Sequence, residues 1–183
     1  MRPVEYIKPL SNPPEGLESL FQRHHDMIFR TSFRITGSLV DAEDVLQTVF
    51  LRLANRKGKF DLSPNPGAYL YRAAINASLD LLRGRGRVLS VPLETSGVGA
   101  LHDPEANPEQ QQAKRELLAR VRQSVSELGA RAAEVVVLKY FEGHDNIEIA
   151  SLLGTSQMVV GVTLHRARAR LRKDIGRFLE EQI

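Results

Sequence analysis

The chain has 183 residues, of which 42% are apolar and 26% charged, and it carries a net charge of +3 without any cysteine. This length and apolar content suit one medium or two small globular domains. The lack of cysteine excludes disulfides, thiolate catalysis and zinc sites with cysteine ligands. We expect a cytoplasmic protein without membrane insertion, because neither a run of about 18 apolar residues nor a signal-peptide type of apolar segment is present.

The basic residues form two blocks on either side of an acidic stretch. Residues 1–87 carry 13 Lys/Arg against 9 Asp/Glu, and residues 111–183 carry 12 against 9. Residues 88–110 contain no Lys or Arg and four acidic residues. This stretch also has three prolines and no periodic apolar face, which predicts an extended, flexible linker. A solvated acidic tether is the simpler interpretation of its charge.

Three helices are predicted before the linker. The first covers about residues 16–35 and ends at Gly37, since glycine accepts the positive φ of a helix C-terminus. The second begins between residues 38 and 41, where two side chains are suitable N-caps. The third starts near Pro66 and runs to about residue 83. The second helix repeats apolar residues on one face, which we expect in the core: Ala42, Val45, Leu46, Val49, Phe50 and Leu53.

Four further helices are predicted after the linker, at about residues 109–127, 130–141 and 146–153 and from about residue 157 onward. The last helix has one apolar stripe, formed by Val160, Leu164, Ala167, Leu171, Ile175 and Phe178. Its opposite side is basic and partly apolar, which fits either a solvated surface or a surface that binds a polyanion. Nothing alternates with a period of two for long enough to be a strand, so the predicted fold is all-α.

Residues 146–167, "NIEIASLLGTSQMVVGVTLHRA", have the pattern of a helix-turn-helix. Ala150 allows a close helix crossing, Gly154 permits the turn, and Ser156 is a suitable cap for the next helix. In this motif the second helix lies in the DNA major groove, with Arg and Lys on phosphates. The spacing alone also fits a plain helical hairpin.

The second helix has an outward face once its core stripe is set aside. Asp44, Gln47, Thr48 and Leu51 share this face. An exposed leucine among polar groups suits docking of a partner helix, although an ordinary solvated face has the same composition.

Basic and aromatic residues alternate in "NRKGKFDLSPNPGAYLYR", residues 55–72. Arg56, Lys57 and Lys59 would hold a nucleic-acid backbone while nearby rings stack on unpaired bases. The rings are those of Phe60, Tyr69 and Tyr71. Aromatic residues buried under a loop would give the same pattern.

Enzyme signals are weak. His24, His25 and Asp26 are contiguous, so on a helix they diverge instead of meeting at one metal ion. No phosphate-binding loop or nucleophilic serine motif is present. We predict no catalytic residue, no metal site and no cofactor, and a metal hydrolase is the least supported interpretation.

Three segments, taken together, resemble the extracytoplasmic-function (ECF) sigma factors of the sigma-70 family. They are "FQRHHDMIFRTSFRITGSLVDAEDVLQTVFLRL", "FDLSPNPGAYLYRAAINASLDLLR" and "ELGARAAEVVVLKYFEGHDNIEIASLLGTS", the last followed by "VTLHRARARLR". The resemblance implies a sigma2-like helical bundle at residues 1–87, the acidic flexible linker at 88–110 and a sigma4-like helix-turn-helix domain at 111–183. It implies a non-enzymatic subunit that binds core RNA polymerase and directs promoter recognition, DNA melting and transcription initiation. A stand-alone helix-turn-helix regulator that binds duplex DNA without polymerase is the alternative.

The resemblance also implies roles and partners. The face with Asp44, Gln47 and Leu51 corresponds to the surface for the clamp helices of the polymerase β′ subunit, and Thr48 stands there in place of a usual glutamate. The linker corresponds to a segment in the RNA channel of the polymerase. The implied partners are core polymerase (β′ and β subunits), promoter DNA and an anti-sigma factor.

Two DNA-binding sets follow from the same resemblance. The set for the melted −10 strand is Arg56, Lys59, Phe60, Asp61, Tyr69, Arg72, Asn76 and Arg83, with Tyr69 in place of a usual tryptophan. The set for the −35 element is Ser156, Gln157, Val162, Thr163, His165, Arg166 and Arg170. Residues 161–163, Gly-Val-Thr, stand where a Lys-Ser-Arg-like set is common. We therefore expect thymine-methyl contacts from Val162 or Thr163 and mainly phosphate contacts from the basic residues.

Overall fold

The computed structural model describes residues 16–55, 65–88 and 107–180, and these ranges contain helices and no strand. The helices are α1 (Leu17–Thr36), α2 (Leu39–Ala54), α3 (Pro66–Val88), α4 (Pro108–Ser126), α5 (Ala130–Val136), α6 (Asn146–Leu153) and α7 (Gln157–Glu180). Helix α5 continues into a π-helical turn at Val137–Phe141. The all-α prediction is confirmed.

The turn between α1 and α2 follows from two residues. Gly37 ends α1 with a φ of 73°, and its N–H donates to the carbonyl of Phe33 at 2.7 Å. Ser38 caps α2 because its hydroxyl accepts from the N–H of Asp41 at 3.3 Å. Glycine at the first position and a hydroxyl at the second are the residue types that these two backbone sites require.

Helices α1 to α3 form the N-terminal block. Its buried apolar cluster is drawn from all three helices and contains Leu20, Ile28, Val45, Val49, Phe50, Leu53, Leu70, Ala74 and Ala77. The stripe predicted for α2 is buried, except that Leu46 is half-buried at its margin. Full burial of each large side chain contributes about 1.5–3 kcal/mol, so this cluster holds the three helices together.

Helix α3 is longer than predicted. We expected it to end at about residue 83, but it runs to Val88. An ion pair explains the extension: an Nη of Arg85 donates to the carboxylate of Asp41 at 2.6 Å, and Asp41 is 1% exposed. This contact joins the last turns of α3 to the start of α2, which offsets the low helix propensity of the neighbouring Gly84.

Helices α4 to α7 form the C-terminal block. Asp145 caps α6 in a reciprocal capping box with Glu148, and Gly154 ends it with a φ of 58°. Helix α7 then leaves at an angle of 105° to α6. Val160, Leu164 and Ala167 of the apolar stripe predicted for α7 are buried in the core, whereas Leu171, Ile175 and Phe178 are half-buried. The helix-turn-helix pattern therefore folds as two crossing helices.

The two blocks lie against each other, with α3 in contact with α4 and α5. One apolar cluster spans them: Ile35, Tyr71, Ile75, Leu79 and Leu82 come from the N-terminal block, and Val125, Leu128, Ala133, Val136 and Leu138 are among those from the C-terminal block. The domain limits at 87 and 111 stay a prediction. Most of the acidic linker, residues 89–106, lies outside the described residues, whereas Val88 and residues 108–110 are helical.

Candidate nucleic-acid and partner interfaces

The outward face of α2 is solvent-accessible as predicted. Asp44, Gln47 and Leu51 are exposed, and Thr48 is half-buried. Leu51 is 60% exposed and Val40, which continues the same stripe one turn earlier, is 64% exposed. The sequence analysis did not include Val40 in this face. Val40 is four residues before Asp44, and this spacing places the two side chains on the same side of a helix. The α2 face thus presents two apolar side chains beside a carboxylate, a composition suited to a partner surface.

The predicted −10 set is only partly described. Arg56, Lys59, Phe60 and Asp61 lie outside the described residues. Tyr69, Arg72 and Asn76 share one side of α3 and line a cavity of about 420 Å³ together with Arg52 and Leu53 of α2. These three side chains are the only predicted −10 residues that the described part of the chain brings together.

Two of these residues contact the C-terminal block. The Nδ2 of Asn76 donates to Oε1 of Glu134 at 2.9 Å, and the Nε of Arg72 lies 3.8 Å from the same oxygen. The side chain of Glu134, on α5, is only 6% exposed. Sequence reasoning missed Glu134, because its partners on α3 are 58 and more residues away along the chain.

Arg83 faces α4 in this structure. Its Nε donates to the carbonyl of Ser126 at 2.6 Å, and one Nη donates to Asp80 at 2.9 Å. The main-chain carbonyl at the C-terminus of α4 thereby gains a charged donor.

Tyr71 does not present its ring for base stacking, contrary to one sequence-based interpretation. It is 8% exposed, and its hydroxyl lies 3.1 Å from Nε2 of His144 in the C-terminal block. Burial and the nearby charge of Glu142 raise the pKa of Tyr71 well above its ordinary value. The ring is part of the apolar cluster that spans the two blocks.

The exposed side of α7 carries the predicted −35 set. Ser156, Gln157, Val162, His165, Arg166 and Arg170 are exposed, whereas Thr163 is half-buried. The Ser156 hydroxyl accepts from the N–H of Val159, and the Thr163 hydroxyl donates to the carbonyl of Val159 at 2.7 Å. These bonds within the helix leave the early part of α7 largely apolar toward solvent.

Three apolar side chains dominate that early part. Met158 is 78% exposed, Val159 48% and Val162 46%, and Met158 and Val162 are one turn apart. Met158 is not a member of the −35 set predicted from the sequence. Further along, Arg168 donates to the hydroxyl of Tyr140, and its Cζ lies 5.6 Å from the centre of the Tyr140 ring. The guanidinium of Arg168 is therefore engaged within the protein.

No group of three His, Cys, Asp or Glu residues in the described ranges could hold a metal ion. No single helix among these residues is long and apolar enough to cross a bilayer, although α6 and α7 meet that criterion as a bent pair. Ile149 and Leu164 of this pair are buried in the core, whereas Ile147, Met158 and Val162 are exposed.

Comparison with known proteins gives matches to both blocks. A family model described as Sigma-70 region 2 matches residues 20–88, and one described as Sigma-70, region 4 matches residues 118–171. The RNA polymerase sigma-E factor of Streptomyces coelicolor is 33% identical over 158 residues, which are 86% of this chain and 85% of that protein.

Two further relatives carry ECF names. ECF RNA polymerase sigma factor SigM of Mycobacterium tuberculosis is 31% identical over 161 residues, covering 88% of this chain and 78% of that protein. ECF RNA polymerase sigma factor SigE of Mycolicibacterium smegmatis is 31% identical over 166 residues, covering 90% of this chain. The match spans 63% of the length of that SigE.

The chain folds as two helical blocks, one with the exposed α2 face and one with the helix-turn-helix pair α6 and α7. The two family models and the relatives show that the chain belongs to the ECF sigma factors of the sigma-70 family. It is therefore a sigma factor, which acts with RNA polymerase in transcription initiation. The alternative of a regulator that works without polymerase is not supported, because the N-terminal block matches region 2.

Proposed function

We propose that this chain binds core RNA polymerase in the cytoplasm and directs promoter recognition, DNA melting and initiation, without a reaction of its own. The main support for this proposal is that the chain presents the exposed α2 face on one block and the basic α7 surface on the other. A subunit that joins polymerase to promoter DNA needs both. The proposed partners are core polymerase through β′ and β, promoter DNA and an anti-sigma factor.

The α2 face is the proposed contact for the β′ clamp helices. Leu51 and Val40 supply apolar area that is exposed in the free chain, and Asp44 supplies charge beside it. A few well-packed residues near the centre of an interface carry most of its binding energy, while charged neighbours steer association and fix the register. Thr48 lies at the half-buried margin of this face and contributes less.

The proposed −10 contacts combine the α3 residues with the preceding segment. Tyr69 offers an aromatic ring, while Arg72 and Asn76 offer donors on the same side of α3. Rings stack on unpaired bases of any sequence, and donors hold phosphate or base edges. Arg56, Lys59, Phe60, Asp61 and Arg83 remain proposed members of this set from the resemblance.

The −35 element is the proposed target of α7. Val162, with Met158 one turn earlier, offers methyl groups suited to thymine contacts, and Gln157 offers an amide. Arg166, Arg170 and His165 lie later on the helix, where they would contact phosphates. The Ser156 hydroxyl accepts one bond from the backbone of α7 and so keeps a donor hydrogen for DNA, and the Thr163 hydroxyl donates to the backbone, which leaves its methyl group for a thymine contact.

The test is transcription in vitro by purified core polymerase with the full chain, using a library of randomised promoter sequences. We expect a stable complex with core and transcripts from a restricted set of sequences, with none above background for core alone. The absence of both the complex and promoter-dependent transcripts would overturn the proposal.

A further inference from the structure

The first two turns of α7 present apolar side chains on the side that faces away from the core. Met158 is 78% exposed and Val162 is 46% exposed, whereas Val160 and Leu164 are buried on the opposite side. Residues four apart are neighbours on a helix surface, so Met158 and Val162 together form one apolar strip. Exposed apolar side chains that adjoin each other in this way are typical of a binding surface.

Donors for a polar base edge are few in the same two turns. From residue 157 to residue 164 the chain has neither Arg nor Lys, and Gln157 is the only amide side chain. Gly161 has no side chain, and the Thr163 hydroxyl donates its hydrogen to the carbonyl of Val159 at 2.7 Å. Guanine presents two acceptors in the major groove, which Arg or Lys recognises. This part of α7 therefore offers a guanine little in exchange for its lost water.

Cationic side chains follow the apolar strip along the same helix. Arg166, Arg170 and Lys173 are exposed, and residues 157–173 contain no acidic residue. This charge complements a polyanion, whereas an apolar partner helix would not require it. Duplex DNA combines phosphates with an apolar group at a base edge, because the C5-methyl group of thymine lies in the major groove.

We propose that α7 recognises the −35 element through the C5-methyl groups of its pyrimidine bases, with Met158 and Val162 as the residues that determine this specificity. The inference rests on the proposed role of α7 at the −35 element and names the chemical group that is recognised there. Thymine carries this methyl group, and 5-methylcytosine carries the same substituent at the same ring position. The preferred −35 element therefore contains thymine opposite the apolar strip, and methylation of a cytosine at that position strengthens binding.

The first experiment removes single methyl groups from the DNA. Holoenzyme assembled from core polymerase and the full chain selects promoter duplexes with a randomised −35 region, and these are remade with deoxyuridine at single thymine positions. Deoxyuridine lacks only the C5-methyl group of thymidine, so its hydrogen-bonding groups are unchanged. We expect affinity to fall about fourfold at one or more positions, since burial of one such group contributes about 0.8 kcal/mol. Selected −35 regions without thymine, or unchanged affinity at every position, would overturn the inference.

The second experiment adds the methyl group to cytosine. At each position where deoxyuridine weakens binding, a cytosine–guanine pair replaces the thymine–adenine pair, with and without a methyl group at C5 of the cytosine. We expect the holoenzyme to bind the methylated duplex about fourfold more tightly than the unmethylated duplex. Equal binding of the two duplexes would show that the methyl group is not what α7 recognises.

Protein variants test whether Met158 and Val162 make the contact. Val162→Ser replaces both methyl groups by one hydroxyl, and Met158→Gln replaces the thioether by an amide of similar length. In the double variant the affinity difference between thymine and deoxyuridine should shrink to about twofold or less. Leu179→Gln is the matched control, because it removes a 46% exposed apolar side chain from the other end of α7 and should keep the full difference. An undiminished difference in the double variant would contradict the assignment to these residues.

Failure of the proposed function gives a different result. If binding by the holoenzyme is independent of the −35 sequence and none is enriched, α7 does not read this element and the inference falls with that function. If particular −35 sequences are enriched while neither deoxyuridine nor 5-methylcytosine changes affinity, the −35 role stands and recognition of methyl groups is wrong.

Discussion

The carboxylate of Asp41 is buried against the guanidinium of Arg85, with one Nη–Oδ2 distance of 2.6 Å. Asp41 is in the first turn of α2, and Arg85 is in the last turns of α3. The pair connects two helices that are separated in the chain by residues 55–65, which include four of the proposed −10 contacts. Its loss should change the stability of the whole N-terminal block.

We expect Arg85→Met to lower the free energy of unfolding by about 1–3 kcal/mol. Loss of one partner leaves a buried charge unpaired, which costs about 3–5 kcal/mol in a fully buried pair, but Arg85 is 41% exposed. Urea unfolding followed by circular dichroism measures the change, with exposed Arg172→Met as the control. Adding Asp41→Asn to Arg85→Met should recover part of the loss, and no recovery would contradict an ion-pair explanation.

Gly37→Ala should destabilise the chain by about 1–2 kcal/mol. The φ of 73° is unfavourable for alanine, and an added Cβ would lie 2.6 Å from Cζ of Arg122. Thermal unfolding provides the measurement. Gly176→Ala is the control, since that site lies within α7 with nothing within 4 Å of an added Cβ, and it should be neutral or stabilising. Similar melting temperatures for both variants would contradict the structural account.

Stability should fall in alkaline solution because of Tyr71. Burial, followed by the charge of Glu142, raises the pKa of this tyrosine above the ordinary value of 10.0. The folded state therefore keeps a proton that the unfolded state loses above about pH 10. The contribution of Tyr71 to the free energy of unfolding is present below about pH 10. It is lost as pH rises further, by up to about 1.4 kcal/mol per pH unit.

The matching variant is Tyr71→Phe. At pH 8 it should be less stable than the native chain by about 1 kcal/mol, because the contact with His144 is lost. Between pH 10 and 11.5 the native chain should lose its higher stability relative to Tyr71→Phe. Urea midpoints measured across this range test the prediction, and parallel curves for the two proteins would show that Tyr71 is not responsible.

The α2 face is tested by changing Asp44, Gln47 and Leu51 together to alanine. Because these side chains are exposed, each change should cost within about 0.5 kcal/mol of stability. Affinity for core polymerase should fall by about tenfold or more, since the three changes together remove the centre of the proposed interface and truncation of even one hot-spot residue costs about 2 kcal/mol or more. Glu43→Ala, an exposed carboxylate next along α2, is the control, and unchanged affinity of the triple variant would exclude this face.

The α7 surface is tested by two variants with opposite expectations. Arg166→Ala should weaken binding about equally for all −35 sequences and reduce the salt slope by about one. Val162→Lys should change which −35 sequences are preferred, because lysine brings a donor that guanine accepts. Selection from a randomised −35 library measures both effects. A sequence-selective loss for Arg166→Ala, or equal loss on every sequence for Val162→Lys, would reverse the assignment of base and phosphate contacts.

The sequence by itself determined the helices and most of their ends. Gly37, Ser38 and Gly154 act on the backbone within a few residues, and the stripe from Val160 to Ala167 needs only helical spacing, so local rules were sufficient. The exposed α2 face followed from the same periodicity. The family resemblance likewise depended on residues in sequence order, and the relatives confirm it.

Only the tertiary structure decided how the two blocks meet. Tyr71 is buried against a residue 73 positions away, and Asn76 donates to Glu134 58 positions away. The extension of α3 depends likewise on Asp41, 44 positions before Arg85. Helical periodicity places a side chain on one side of its helix, but the partner on that side depends on how helices distant in sequence pack, which periodicity does not contain.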